Sequence, residues 1–242
     1  MSTNRIETRT EGGAARILLN RADAGNAVDM AMLQDLTRVL REAAANTDVR
    51  LVVLDAAGED FCLGRDNKGE VREGLSTWDN RERFMQPILD LYGALRGCPQ
   101  PVVSVVRGRA RGFGCALAGT CDVTLASEGA RFSLPEIEHG VPPALAMAAL
   151  HTRVSRKTLE YMVYSAQELS AAEAMQAGIV SRVHVESELR QRADALIDAM
   201  LTRPRAVLAT VKKFGASVQP MPTSLVDDLA GSLLAIARSR KA

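Results

Sequence analysis

Apolar and polar residues alternate along positions 5–9 and again along 15–19, with Glu11-Gly12-Gly13 between them. A period of two broken by a Gly-Gly turn predicts a β-hairpin. After a polar loop at 20–26 the period lengthens. Met32, Leu33, Leu36, Val39 and Leu40 recur at helical spacing behind Asp29, which predicts a helix capped by Asp29 and running to about Ala45. Residues 51–54 and 102–106 are unbroken apolar runs of strand length and read as buried strands. Residues 81–95 read as a helix through Phe84, Ile88, Leu91 and Leu95, stopped by Cys98-Pro99-Gln100-Pro101. The polar, Gly-bearing stretch 66–80 reads as a mobile loop, with Trp78 either a lid contact or ordinary packing.

Beyond residue 107 the pattern predicts a helix at 115–120, strands at 123–126 and 131–134, and helices at 144–150 and 157–164. At 170–177 Ser170 is the N-cap, Glu173 occupies the capping-box position and Gly178 the C-cap. A short strand at 179–183 follows, then helices at 186–200, 204–214 and 224–240. Strand, strand, helix, strand, loop, helix, strand, helix is the order of an α/β chain. The final helices have no strands among them and read as an appendage that packs on a neighbouring subunit.

The remaining totals narrow the function classes. With 242 residues and 47% apolar content the chain can bury a sizeable core. Thirty Lys and Arg balance 29 Asp and Glu, and aromatics are only 4%, so nucleic acid and anionic membrane are poor partners. Cys62, Cys98, Cys115 and Cys121 form no CxxC pair, and no secretory segment opens the chain, so reduced thiols and a cytoplasmic location are expected. His139, His151 and His184 lack metal-ligand spacing, so no metal is expected.

Two glycine-centred turns carry the chemistry. In the first, Gly108, Gly112 and Gly114 bracket Phe113 ahead of a small apolar helix. A Gly-rich turn feeding a helix aims N–H groups and the positive end of the helix dipole at one spot. In the second, the strand at 51–54 leads through Ala56-Ala57-Gly58 to Phe61-Cys62-Leu63-Gly64-Arg65-Asp66, with a candidate helix start after Gly64 for which Asp66 would be the cap. Two N–H donors from separate segments are what an oxyanion hole requires. Glu136, in Pro135-Glu136-Ile137, is a carboxylate placed to serve as acid or base beside them; alone it reads as a surface turn. Asp122 reads as tying down the end of its helix, and Cys115 as a small core residue.

These motifs, in this order, resemble those of the crotonase superfamily, the enoyl-CoA hydratases and isomerases. The matching pieces are Leu19-Asn20-Arg21 with Asn26-Ala27, the segment 61–66, the central stretch through Cys121-Asp122, Pro135-Glu136-Ile137, and Ala172-Glu173-Ala174 with Gly178-Ile179-Val180. The resemblance implies a spiral of ββα repeats over residues 1–185, holding an acyl-CoA site. It implies a C-terminal all-helical trimerisation region over 186–242, in a homotrimer or a hexamer. It implies the N–H groups of Arg65 and Phe113 as the donors to a thioester carbonyl, with Glu136 as acid/base. Ala24, Arg65, Asp66, Asn67, Lys68 and Phe113 would contact coenzyme A, which is part of the substrate and not a bound cofactor.

Four departures bear on the activity. Phe113 stands where the family usually has glycine, and its ring should narrow or redirect the acyl pocket. The hydratases hold a water between two glutamates, and the first of them aligns with Ala116, twenty residues before Glu136. A single glutamate is the isomerase arrangement, although a single-glutamate hydratase-lyase type also exists in the family. Val141-Pro142-Pro143-Ala144-Leu145-Ala146 replaces a common Gly-rich stretch along the acyl pocket, and Lys241-Ala242 replaces the usual ending that completes the adenine site. The competing expectation is a non-catalytic CoA-thioester-binding protein on the same fold.

Overall fold

A computed structural model describes residues 5–218 apart from residue 72; the helix expected at 224–240 lies outside them. The hairpin forms as β1 (Ile6–Glu11) and β2 (Ala14–Leu19). The strands that follow are β3 (Leu51–Ala56), β4 (Val102–Val106), β5 (Arg109–Arg111), β6 (Val123–Ser127), β7 (Arg131–Ser133), β8 (Leu169–Ser170) and β9 (Arg182–His184). The helices are α1 (Met30–Ala45), α2 (Thr77–Asn80), α3 (Gln86–Gly97), α4 (Phe113–Thr120), α5 (Ala144–Leu150), α6 (Arg156–Ser165), α7 (Ala171–Ala177), α8 (Glu186–Leu201) and α9 (Arg205–Val218). Asp29 caps α1 by accepting from the Met32 N–H at 2.9 Å, and Ser170 with Glu173 forms the full capping box of α7.

Two sheets result. The larger has strand order β1-β2-β3-β4-β6-β9, antiparallel only at the hairpin and parallel elsewhere. The smaller is β5-β7-β8, with β5 and β7 parallel. The unbroken apolar runs of β3 and β4 follow from burial on both faces, since successive side chains point to opposite sides. Val52, Leu54, Val102 and Val106 pack with α1 and α3 through Met32, Leu36, Leu91 and Leu95. Leu51, Val53, Val105 and Leu125 pack with Leu189, Ala193 and Ile197 of α8. The first helix of the expected appendage therefore closes the second face of the sheet. α9 has no buried residue; Lys212 anchors it, reaching Asp122 at 2.7 Å, the Leu95 carbonyl at 2.9 Å and the Gln100 carbonyl at 3.1 Å.

The local differences from expectation have physical causes. No helix starts after Gly64. The chain instead pairs with Val28 through Arg65, and the next helix is α2. Asp66 is thus no helix cap: it accepts from Arg21 at 2.7 Å and from the Lys68 N–H at 3.1 Å. Asp122 secures the start of β4 rather than the end of α4, accepting from the Val102 N–H at 2.8 Å. The last predicted strand begins at Arg182, because Ile179 and Val180 still close the α7 C-terminus by donating to the Ala174 carbonyl. The expected helix at 81–95 starts as a wide turn over Arg81–Met85 and becomes α-helical at Gln86. Trp78 is 67% exposed, with the Arg81 guanidinium 5.8 Å from its ring centre, so core packing does not hold it.

Candidate active site

The two glycine turns lie side by side. Cys62 pairs with Ala110 as a parallel bridge, through Cys62 N–H to the Arg109 carbonyl and Arg111 N–H to the Cys62 carbonyl. Three residues on from that bridge, each segment reaches one expected donor, Arg65 or Phe113. A Cβ at Gly114 would collide with the Cys62 carbonyl, so only glycine lets α4 approach this closely.

The direction of each donor follows from peptide planarity, because the C=O of one residue and the N–H of the next point opposite ways. The Gly64 carbonyl accepts from the Val28 N–H at 2.9 Å, so the Arg65 N–H points away from Val28. The Gly112 carbonyl accepts from the Ala116 N–H at 3.0 Å, so the Phe113 N–H leaves the N-terminus of α4 along its axis. No side chain caps that terminus. Both peptides depend on positive φ, +113° at Gly64 and +55° at Gly112, which L side chains avoid.

Glu136 reaches the same place from a third segment. β7 pairs with β5, and the Gly112 N–H donates to the Ser133 carbonyl at 2.8 Å. Pro135 then opens a 3-10 turn that Gly140 closes in the left-handed region. The Glu136 carboxyl comes to rest on Gly112: a Cβ there would lie 2.7 Å from Oε1. Oε2 is buried and makes no hydrogen bond. Burial raises the Glu136 carboxyl above the ordinary glutamate range, while its own backbone and the Arg111 guanidinium oppose the rise. Arg111 itself lies 3.6 Å from Glu138. His139 ends the turn exposed.

The surroundings are apolar. Phe113 is 5% exposed, and Cys62, Cys115 and Ala116 are fully buried. Burial pushes both the Cys62 and Cys115 thiols up to about 12, so neither is a thiolate nucleophile. Next to Glu136 a cavity of about 420 Å³ opens among Ile137, Val141, Pro142, Pro143, Met147 and Tyr164. A depression of about 550 Å³ between α1 and the start of α3, near Arg38 and Pro87, borders none of these groups.

Of the other expected site residues, Ala24 ends a short 3-10 turn whose next residue, Gly25, accepts from the Leu63 N–H at 2.9 Å. That pairing places Ala24 beside the segment of Arg65 and Asp66, with Asn67 and Lys68 exposed at its rim. The Arg65 guanidinium is turned onto the Val28 carbonyl and onto Glu70 at 2.9 Å, with its side chain 11% exposed.

The two glycine turns, the desolvated Glu136 carboxyl and the cavity beside it are thus brought together from separate segments. A family model described as enoyl-CoA hydratase/isomerase matches residues 9–224. The chain belongs to the enoyl-CoA hydratase/isomerase family. It is 29% identical over 205 residues to the rat enoyl-CoA hydratase domain-containing protein 3, mitochondrial, covering 85% of this chain and 68% of that protein. It is 28% identical over 221 residues to a short-chain-enoyl-CoA hydratase of Clostridium acetobutylicum, covering 90% and 84%. Among solved structures, an enoyl-CoA hydratase of Mycobacterium smegmatis superposes with a TM-score of 0.90 at 30% identity, over 97% of this chain and 91% of that one. The fold is that of the crotonase-type enzymes of this family.

One residue of the site is absent from the motifs. Tyr92 of α3 stacks on Phe113, ring centroids 6.0 Å apart and planes 23° apart. Its place in the stripe Ile88, Leu91, Leu95 marks it as inward-facing, but nothing local indicates that α4 delivers Phe113 against it.

Proposed function

We propose that this protein acts on an enoyl-CoA thioester. The N–H groups of Arg65 and Phe113 receive the thioester oxygen, and Glu136 moves a proton at the adjacent carbon. Removing that proton builds charge on the oxygen, and each such donor contributes ~3 kcal/mol in comparable sites. The observation that carries the reading is the Glu136 carboxyl: it lies against Gly112, immediately before one donor, with Oε2 buried and unpaired. A carboxyl whose proton affinity burial has raised is a stronger base than an ordinary glutamate and can take and return a proton. One carboxylate is sufficient for shifting a double bond, so isomerisation is favoured on this feature. Glu136→Gln, assayed with 2- and 3-enoyl-CoA substrates, is expected to lose turnover by about 10²–10⁴-fold. Unchanged turnover would reject the role of Glu136.

The coenzyme A portion would lie along Ala24, Asp66, Asn67 and Lys68, the two paired segments beside the donors. The division into a core at 1–185 and a helical oligomerisation region at 186–242 belongs to the same proposal. Its support is α9, whose Val207 and Val211 are 39% and 67% exposed. A homotrimer or hexamer by sedimentation is expected; a monomer at all concentrations counts against it. Ala116 gives substance to a second reading, binding of the thioester without turnover, and the same assay separates the two.

A further inference from the structure

The cavity beside Glu136 has one ionised wall. α6 packs on the turn Pro135–His139 that carries Glu136. Glu160, Val163 and Tyr164 are spaced three and four residues apart along α6, so they share one face. That face lines the cavity together with Ile137, Val141 and Met147. Among the described residues that line it, Glu160 alone carries a charge. The cavity begins next to the carboxyl that moves the proton: Ile137 follows Glu136, and the Val141 N–H donates to the Glu136 carbonyl at 3.1 Å. On the α3 side the Phe113 ring is 5% exposed and stacks on Tyr92, which is 1% exposed, so two buried rings occupy that side of the donor. An acyl chain whose carbonyl sits at the Phe113 N–H therefore has the cavity open to it, and not the α3 side.

The Glu160 side chain is 34% exposed, and its Oε1 accepts from Arg156 Nε at 2.8 Å. Arg156 is 90% exposed, so solvent screens most of its charge. A carboxylate offers about four lone-pair sites, and one bond from Arg156 leaves capacity for a donor arriving from the cavity. A tail ending in a methyl group would strip water from Glu160 and return no hydrogen bond. A tail ending in a hydroxyl returns a charge-assisted one. A tail ending in a carboxylate meets like charge.

We propose that Glu160 selects the acyl tail: the cavity takes an apolar enoyl chain that ends in a hydroxyl group, which donates to the Glu160 carboxylate. This inference rests on the enoyl-CoA reading above and deepens it by naming the substrate class. Glu160 takes no part in the proton transfer. It acts on kcat/KM, because a site that hydrogen-bonds a substrate hydroxyl discriminates against the analogue lacking it.

The test compares enoyl-CoA thioesters with methyl-ended, hydroxyl-ended and carboxylate-ended tails, matched for length over a series of lengths. The proteins are the wild-type full chain, Glu160→Leu and Glu160→Gln. The readout is the ratio of kcat/KM between tails, in which a general loss of folded enzyme cancels. Wild type is expected to favour the hydroxyl-ended over the methyl-ended tail by about tenfold, the worth of one hydrogen bond to a charged group, and to reject the carboxylate-ended tail most strongly. Glu160→Leu is expected to reverse the first ratio. Glu160→Gln keeps the shape without the charge, and should narrow the gap between hydroxyl-ended and carboxylate-ended tails by about tenfold. Wild-type protein that turns over all three tails alike overturns the inference and leaves the enoyl-CoA reading in place, as does either variant that keeps the wild-type ratios. Wild-type protein that turns over no enoyl-CoA, whatever its tail, overturns both.

Discussion

Gly112→Ala tests the geometry of the site most directly. Gly112 has φ +55°, and a Cβ there would stand 2.7 Å from Glu136 Oε1. Placing an L residue in the left-handed region costs ~1–2 kcal/mol by itself. The methyl must also displace the carboxylate or open the turn, which adds about 1–2 kcal/mol of overpacking. For a domain of this size each kcal/mol lowers Tm by roughly 2–4 °C, so a fall of about 5–15 °C is expected. Displacing Glu136 by about 1 Å should cost about 10²-fold in kcat, because proton transfer needs hydrogen-bond reach. Gly12→Ala is the control: its φ is +59°, but nothing lies within 4 Å of the added Cβ. It should carry the backbone cost alone and leave turnover intact. Melting curves and enoyl-CoA turnover are measured for both variants. If Gly112→Ala matches Gly12→Ala in Tm and in kcat, the placement of Glu136 against Gly112 is refuted.

Other substitutions separate function from stability. The raised Glu136 carboxyl binds its proton more tightly folded than unfolded, so charging it costs stability as pH rises through the ordinary glutamate range toward the higher folded value. Glu136→Gln should therefore be at least as stable as wild type at pH 7, with the difference shrinking below about pH 4 in urea titrations; a clear destabilisation at pH 7 counts against a desolvated carboxylate. Asn26 is fully buried, accepts from the Arg21 N–H at 2.8 Å and donates to the Ala57 and Asp60 carbonyls at 2.7 and 2.8 Å. Asn26→Ala should lose ~2–4 kcal/mol by leaving those carbonyls without a donor, read from denaturant midpoints. Lys212→Met removes the anchor of α9 from Asp122 and two carbonyls and should cost ~2 kcal/mol. Limited proteolysis should then cut within α9 first, and a cleavage pattern like wild type would count against the anchor.

How much of this was legible beforehand depends on how far apart the interacting residues lie. The hairpin, α1 with its Asp29 cap, β3, β4 and the α7 capping box are local patterns, and each formed as the spacing predicts. Asp66 and Asp122 were misread because their partners, Arg21 and the Val102 N–H, are 45 and 20 residues away. The absence of a helix after Gly64 has the same cause: pairing with Val28 satisfies that backbone as a strand.

From the chain alone came the α/β class, the two glycine-centred turns and the lone glutamate, because each is written in neighbouring residues. The tertiary structure decided what those pieces face. Positive φ at Gly64 and Gly112 aims the following amides. The pairing of β5 with β7 sets Glu136 on Gly112, and the packing of α3 on α4 brings Tyr92 to Phe113. Those relations depend on contacts between segments far apart in sequence, which no local period can encode.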